Sequence, residues 1–158
     1  MHEKLGIPLE KVGFPQWVEP KMTGEGDLHF ISPKLPNQAE GRQANLPHAT
    51  AAMQPTVGGK RDAFLEIHPE TAKKRGIADG DKVRIKNEVG QIEVVARYYT
   101  GVRPDTVVLP MVHGHWAQGR WAMGRSPSGS ANEVIPNVSE PISGLVCYNS
   151  GMVKVEKV

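Results

Sequence analysis

The chain alternates apolar and polar residues over several short stretches, and this spacing predicts β-strands. The alternation is clearest in Lys82–Lys86 and Gln91–Arg97, and the Gly-containing connection between them predicts a β-hairpin. The hairpin side chains expected to face the core are Val83, Ile85, Ile92 and Val94. Further strands are predicted at Asp27–Ile31, Ala63–Ile67, Thr106–Pro110 and Met152–Glu156.

One short helix is predicted directly after the strand that ends at Ile67. Pro69 suits the first helical position, and Glu70 complements the positive end of the helix dipole. The Lys-Lys-Arg run that begins at Lys73 complements the opposite end, and Gly76 ends the helix. Many short strands with one short helix predict a mainly β barrel rather than a doubly wound sheet.

Two long segments, Lys34–Gly59 and Val112–Asn137, have no strong hydrophobic period. Irregular segments of that length inside a compact domain are typical of binding loops or lids, or of disorder. Residues 1–25 are rich in Pro, Gly and charge, which predicts an irregular arm or interdomain linker that packs on a neighbouring domain. Residues 26–158 then form the barrel domain.

Composition and charge exclude several classes of protein. The 158 residues are 39% hydrophobic, and the net charge of +2 is too balanced for nucleic-acid binding by bulk charge. No stretch approaches the roughly 20 apolar residues of a membrane helix, and the first residues lack the apolar run of a secretory signal. The single cysteine, Cys147, excludes an internal disulfide, and its apolar neighbours predict a packed core thiol.

The charged residues between Gly101 and Asn132 favour a small anionic ligand. All three cations there are arginines, whose guanidinium groups suit bidentate contact with phosphate or carboxylate. Arg120 and Arg125 each follow a glycine, which is typical of phosphate contact or equally of a solvated surface turn.

Two further loop motifs point to ligand contact rather than to metal binding. His113 and His115 lie two residues apart, which is poor spacing for a shared ion, so Gly114 is interpreted as a close approach of the backbone to a ligand. The polar run after Gly41 offers hydrogen bonds of both kinds, although such a run is also common on plain surface. Walker, dinucleotide G-x-G-x-x-G and hydrolase-elbow motifs are missing.

Three segments, in order and spacing, carry a family resemblance that extends from about Asp27 to Val158. They are Ile67–Val83 with its Asp-Gly-Asp, Gly90 with Gly101–Val107, and Ala131–Val134 with Glu140–Gly144 and Tyr148. Together they resemble the molydopterin-dinucleotide-binding domain that ends the catalytic subunit in the dimethyl sulfoxide reductase superfamily. Two departures are His68 in place of the commoner Asn, and the Arg-Gln-Ala-Asn run that begins at Arg42 in place of a His-Ser-Arg-Thr-like run.

The resemblance implies a six-stranded double-psi β-barrel with one or two short helices and long loops. It implies that the domain clamps molybdopterin guanine dinucleotide, while other domains hold the molybdenum or tungsten that carries out the redox chemistry. This chain is therefore expected to provide no catalytic residue and no metal ligand. The implied cofactor-binding residues are Arg42, Gln43, Ala44, Asn45, His113, Gly114, Trp116, Arg120, Asn132 and Tyr148.

The expected partners are the remaining domains or catalytic subunit of an oxidoreductase and an iron–sulfur electron-transfer subunit, with no nucleic acid and no membrane segment. The compartment and the substrate stay open, although the loop style around Arg42 and Arg120 favours respiratory reductases of sulfur or arsenic compounds. One alternative is a stand-alone small subunit, as in formylmethanofuran dehydrogenases. Another is an interaction module without cofactor, which predicts that the loops around Arg42 and Asn132 lie far apart.

Overall fold

The computed structural model describes Gly6, Pro8, Trp17, Glu19, Leu46, His48 and residues 21–35, 63–111, 130–140 and 143–158. Six strands in these ranges close into a barrel in the order β1-β5-β2-β4-β3-β6. The elements are β1 (Leu28–Ile31), β2 (Phe64–Ile67), helix α1 (Pro69–Lys74), β3 (Lys82–Lys86), β4 (Gln91–Tyr98), β5 (Thr106–Val108), a 3-10 helix (Ala131–Glu133) and β6 (Gly151–Lys157). The predicted fold class, a mainly β six-stranded barrel, is confirmed.

Two parallel pairs decide where the connections emerge. Strand β1 is parallel to β5, and β2 is parallel to β4, whereas every other neighbouring pair is antiparallel. The chain therefore leaves β1 and β5 at the same rim, where it also enters β2 and β6 and turns between β3 and β4. We call this end the loop rim. The opposite end, which carries α1 and residues 75–81 and 99–105, is the helix rim.

The barrel interior is filled by the alternate residues of each strand. All four hairpin side chains predicted to face the core are at most 3% exposed, so that prediction is confirmed. Leu65 and Val153 belong to the same cluster and are fully buried. Ala131 and Val134, at either end of the 3-10 helix, join this cluster and close the core at the loop rim.

Helix α1 begins at Pro69, as predicted, and is only six residues long. The Nδ1 atom of His68 accepts a hydrogen bond from the amide of Glu70 at 3.3 Å, which is the role that a capping Asn fulfils. The helix ends at Lys74, because Gly76 adopts a positive φ of 67° and turns the chain back. The hydroxyl of Thr71 donates to the carbonyl of Pro104 at 2.6 Å and fixes the helix to the helix rim.

The described end of the predicted arm lies across β6 of the same chain rather than extending away from it. Thr23 donates to the Ser150 carbonyl at 2.9 Å and accepts from the Met152 amide at 2.6 Å. Side chains at Gly24 or Gly26 would collide with the backbone of β6, so only glycine permits this crossing. The domain boundary near residue 25 stays a prediction.

Strand ends differ by at most two residues from the predicted ones. Strand β5 ends at Val108, because Pro110 has no amide hydrogen to continue the ladder. Strand β6 extends further than predicted, from Gly151 to Lys157. No helix in the described part of the chain is long and apolar enough to cross a membrane.

Candidate functional site

Eight of the ten predicted cofactor-binding residues lie outside the described residues. They are Arg42, Gln43, Ala44, Asn45, His113, Gly114, Trp116 and Arg120. Arg125 and His115, which the sequence also singled out, lie outside them too. The structure describes the other two, Asn132 and Tyr148, together with the points at which both long loops leave the barrel.

The two long loops leave the loop rim side by side. Pairing between β1 and β5 continues beyond the strands, since Leu109 donates to the Ile31 carbonyl at 3.0 Å. The amide of Met111, which follows Pro110, then donates to the Pro33 carbonyl at 3.1 Å. Segments separated by almost eighty residues in sequence, near Ile31 and Val108, thus start as neighbours. This is the arrangement that a shared binding rim requires.

Asn132 lies on the 3-10 helix that closes the core at this rim. Ser130 caps the helix, since its hydroxyl accepts from the Asn132 amide at 3.3 Å and its own amide donates to the Glu133 carboxylate at 3.2 Å. Ala131 and Val134 point into the core, which leaves the Asn132 side chain exposed. The sequence therefore folds so that a carboxamide is presented outward from a fixed turn.

Tyr148 lies on the segment that enters β6, and the neighbouring Asn149 is held by β1. The His29 ring Nε2 lies 2.6 Å from the Asn149 carbonyl oxygen, and the Ser32 amide donates to Asn149 Oδ1 at 3.1 Å. The first contact holds the Asn149 backbone, and the second fixes the oxygen of its carboxamide. Tyr148 is 41% exposed beside it.

Ser32 and Asn149 are candidate residues that the sequence analysis missed. Ser32 is fully buried, and its hydroxyl has no hydrogen-bond partner in the described part of the chain. A buried polar atom without a partner costs free energy, so such an atom is typical of a place where a ligand or water completes the bonding. The available signals were Ser32-Pro33 at the end of a predicted strand and the position of Asn149 next to Tyr148.

Cys147 is not the packed core thiol that the sequence predicted. Its side chain is only partly buried, and its neighbours Val146 and Tyr148 are 48% and 41% exposed. The Cys147 amide donates to the Val138 carbonyl at 2.8 Å, which pairs the segment with residues 136–140 instead of burying it. Apolar neighbours in sequence therefore misled the prediction, because this segment lies on the rim rather than in the barrel.

Two carboxyl groups with shifted pKa values, Glu66 and Glu93, lie on strands β2 and β4. Hydrogen bonds from Lys82 and Arg84 hold the pKa of Glu93 below its usual value. Burial raises the pKa of Glu66, which Arg97 at 3.1 Å partly opposes. Both are structural ion pairs between strands, and neither adjoins Asn132 or Asn149.

The described residues of the loop rim offer groups for hydrogen bonding. Among the described residues no group of three or more His, Cys, Asp or Glu side chains could hold a metal ion. An open cleft of about 420 Å³ exists, but it lies at the helix rim, where ion pairs such as Arg75 with Asp27 line it. The carboxamides, hydroxyl and phenol at the loop rim both donate and accept, which suits the edge of a polar heterocycle.

The model of the molydopterin dinucleotide binding domain family matches residues 38–152 of the chain. The chain belongs to this family. The predicted family and its cofactor, molybdopterin guanine dinucleotide, are thereby confirmed, and this chain is the cofactor-binding domain. The rim's set of uncharged donors and acceptors fits the pterin and guanine edges of that cofactor.

Known relatives of this domain are much longer proteins. The chain is 35% identical over 154 residues to the molybdopterin-containing subunit of arsenate respiratory reductase from Shewanella sp. strain ANA-3, which covers 91% of this chain and 18% of that subunit. It is 28% identical to the corresponding subunit of thiosulfate reductase from Salmonella typhimurium, with the same coverage of 91% and 18%. The chain thus spans about a fifth of the length of these relatives.

A solved structure supports the fold. Acetylene hydratase from Pelobacter acetylenicus superposes with a TM-score of 0.76 at 18% sequence identity, covering 99% of this chain and 22% of that one. The likeness shows that the barrel and the approximate course of the chain are shared. The individual site residues stay predictions.

Proposed function

We propose that the loop rim binds the pterin nucleotide of a molybdenum or tungsten oxidoreductase to which this domain contributes no catalytic group. The observation that carries the proposal is the parallel pairing of β1 with β5, continued by the bonds to Ile31 and Pro33, because the described starts of the two long loops therefore lie at one rim. Irregular segments that emerge from a rigid barrel can offer donors that are fixed before the ligand arrives.

The described residues have distinct roles in this proposal. Asn132 and Asn149 direct their carboxamides to the ring edges, where each can donate and accept. The Ser32 hydroxyl, which has no hydrogen-bond partner among the described residues, supplies one to the cofactor, and Tyr148 contacts the cofactor with its exposed ring. The bound cofactor supplies the metal, which carries out the redox chemistry.

The two loops complete the cradle in the same proposal. The first loop contributes Arg42, Gln43, Ala44 and Asn45 along one pterin, and the second contributes His113, Gly114, Trp116 and Arg120 near the pterin or the diphosphate. A guanidinium group is the natural partner of a diphosphate, because it forms paired, charge-assisted hydrogen bonds. Residues 1–25 act as the linker to the rest of the enzyme, and residues 26–158 form the domain.

The parent enzyme is proposed to be a respiratory reductase with further domains and an iron–sulfur subunit. The first two relatives described above are subunits of reductases for arsenate and thiosulfate, which favours oxyanions of arsenic or sulfur as the substrate class. Leu145, at 72% exposed, and Val146 form an apolar surface next to Tyr148. The remaining domains of the enzyme are proposed to cover it, since large exposed apolar side chains favour contact with a partner.

The test is pterin content in the full-length protein that carries this domain. Asn132→Ala and Asn149→Ala are each expected to lower the pterin content per protein by about tenfold, because each removes a hydrogen-bonding group from the cradle. Gln91→Ala is the control, since it removes an exposed carboxamide at the start of β4 and is expected to leave the pterin content unchanged. Full pterin content in both asparagine variants would refute the proposed site.

A further inference from the structure

Asn87, in the turn between β3 and β4, uses all the hydrogen-bonding positions of its carboxamide. Its Oδ1 accepts from the amides of Val89 at 3.0 Å and Gly90 at 3.3 Å, which shapes the turn. Its Nδ2 donates to the carbonyls of Val134 at 2.7 Å and Met152 at 3.3 Å. An asparagine has two donors and two main acceptor positions, so none is left over.

The two donated bonds leave the hairpin and reach both segments of the candidate site. Val134 lies two residues after Asn132, at the end of the 3-10 helix. Met152 lies at the start of β6, three residues after Asn149. One side chain therefore joins a segment 47 residues away to another that is 65 residues away.

Gly90 makes a second contact between the same turn and the 3-10 helix. A Cβ atom at this position would collide with the backbone oxygen of Glu133. Because the backbone of Gly90 does not adopt a positive φ, the glycine is needed for the close approach and not for the conformation of the turn. The turn therefore touches the helix that carries Asn132 from two directions.

We propose that the Asn87–Gly90 turn positions the cofactor site, by setting the placement of Asn132 relative to Tyr148 and Asn149 without contacting the cofactor. This inference rests on the proposed function of the loop rim. Groups that orient binding residues from behind commonly affect affinity almost as much as the binding residues do. Asn87 is thus a positioning residue of the site.

The substitution Asn87→Asp separates the two functions of this side chain. An aspartate keeps an acceptor for the amides of Val89 and Gly90, so the hairpin turn retains its internal bonds. It offers no amino group to Val134 and Met152, and it places a carboxylate oxygen against their carbonyl oxygens. The variant therefore disturbs the link between the site segments more than the hairpin itself.

The experiment compares five variants of the full-length protein by pterin content and by hydrogen–deuterium exchange. Asn87→Asp is expected to raise exchange in both residues 131–136 and residues 149–153 and to lower pterin content by about tenfold. Thr71→Val is the matched control, because it removes a side-chain bond to a carbonyl at the helix rim. It is expected to leave pterin content unchanged.

Gly90→Ala provides an independent test if the aspartate variant does not fold. Its added methyl group pushes on Glu133 alone, so raised exchange is expected in residues 131–136 with a smaller loss of pterin. Two results for Asn87→Asp would overturn the positioning role. One is unchanged pterin content although exchange is raised, and the other is unchanged exchange in both segments. If Asn132→Ala lowers pterin content and neither turn variant does, this inference fails alone. If Asn132→Ala and Asn149→Ala have no effect either, the proposed function fails with it.

Discussion

The two rims of the barrel differ in how completely their polar groups are paired. At the helix rim, the Tyr98 hydroxyl donates to Ile77 at 2.7 Å, and Arg103 forms a paired bond with Asp105 at 3.1 and 2.7 Å. At the loop rim, the buried hydroxyl of Ser32 has no partner among the described residues. The cited bonds at the helix rim pair groups of the chain with each other, whereas the buried Ser32 hydroxyl at the loop rim is one of the groups for which a ligand is proposed above.

The difference follows from the strand connections. Connections at the helix rim are short, and one of them contains α1, whose Thr71 is bonded to the neighbouring Pro104. The loop rim receives both long irregular segments because β1 and β5 are parallel. Strands β2 and β6 also begin at this rim, so both long connections start and finish at the same end of the barrel.

The largest expected effect comes from the core that both rims share. Leu65→Ala removes a fully buried side chain from β2 and leaves a cavity, so the free energy of unfolding is expected to fall by about 2 to 5 kcal/mol. Chemical denaturation measures this change. Leu145→Ala is the control, because that side chain is 72% exposed and its loss is expected to change the unfolding free energy by about 0.5 kcal/mol or less.

The comparison of the rims also predicts which regions of the barrel lose stability in Leu65→Ala. Exchange is expected to rise at both rims in Leu65→Ala, since they are built on one core. If hydrogen–deuterium exchange rises at the loop rim alone, the two rims are stabilised separately. Hydrogen-bond pairing would then not explain the difference between them.

The smallest expected effect is the pH dependence of an ion pair that lies between the rims. Lys82 at 2.5 Å and Arg84 at 2.8 Å hold the pKa of Glu93 below its ordinary value of 4.5. The carboxylate therefore stabilises the fold above pH 4.5, and this contribution is lost as the pH falls through the lowered pKa. Glu93→Gln removes it.

Thermal unfolding as a function of pH measures the effect of Glu93→Gln. The variant is expected to melt slightly below the wild type at neutral pH and to approach it in acid, because the pair is partly exposed and such pairs contribute little. Pterin content is expected to be unchanged. A difference that grows toward acid pH would contradict the direction of the pKa shift.

The sequence predicted the parts of the fold that depend on neighbouring residues. The β3–β4 hairpin and its buried faces follow from a period of two, and the start of α1 follows from Pro69 and Glu70. The pairing of β1 with β5 depends on contacts between distant residues and leaves no local signal. The sequence did not predict this pairing, since the family resemblance implied only the six-stranded barrel.

The candidate site was predicted only in part for the same reason. Asn132 and Tyr148 were implied by the family resemblance, whereas the role of Asn149 depends on the Ser32 amide, which lies 117 residues away. Asn87 was missed because its carboxamide links segments that are distant in sequence. The expectation for Cys147 was wrong, since its apolar neighbours lie on an exposed rim.

The most direct test of the shared rim is a hydrogen–deuterium exchange comparison of the full-length protein with and without its pterin cofactor. The account predicts that the cofactor slows exchange in residues 130–134 and 148–152 together and leaves Pro69–Lys74 and residues 99–105 at the helix rim unchanged. Protection at the helix rim with none at the two loop-rim segments would contradict it.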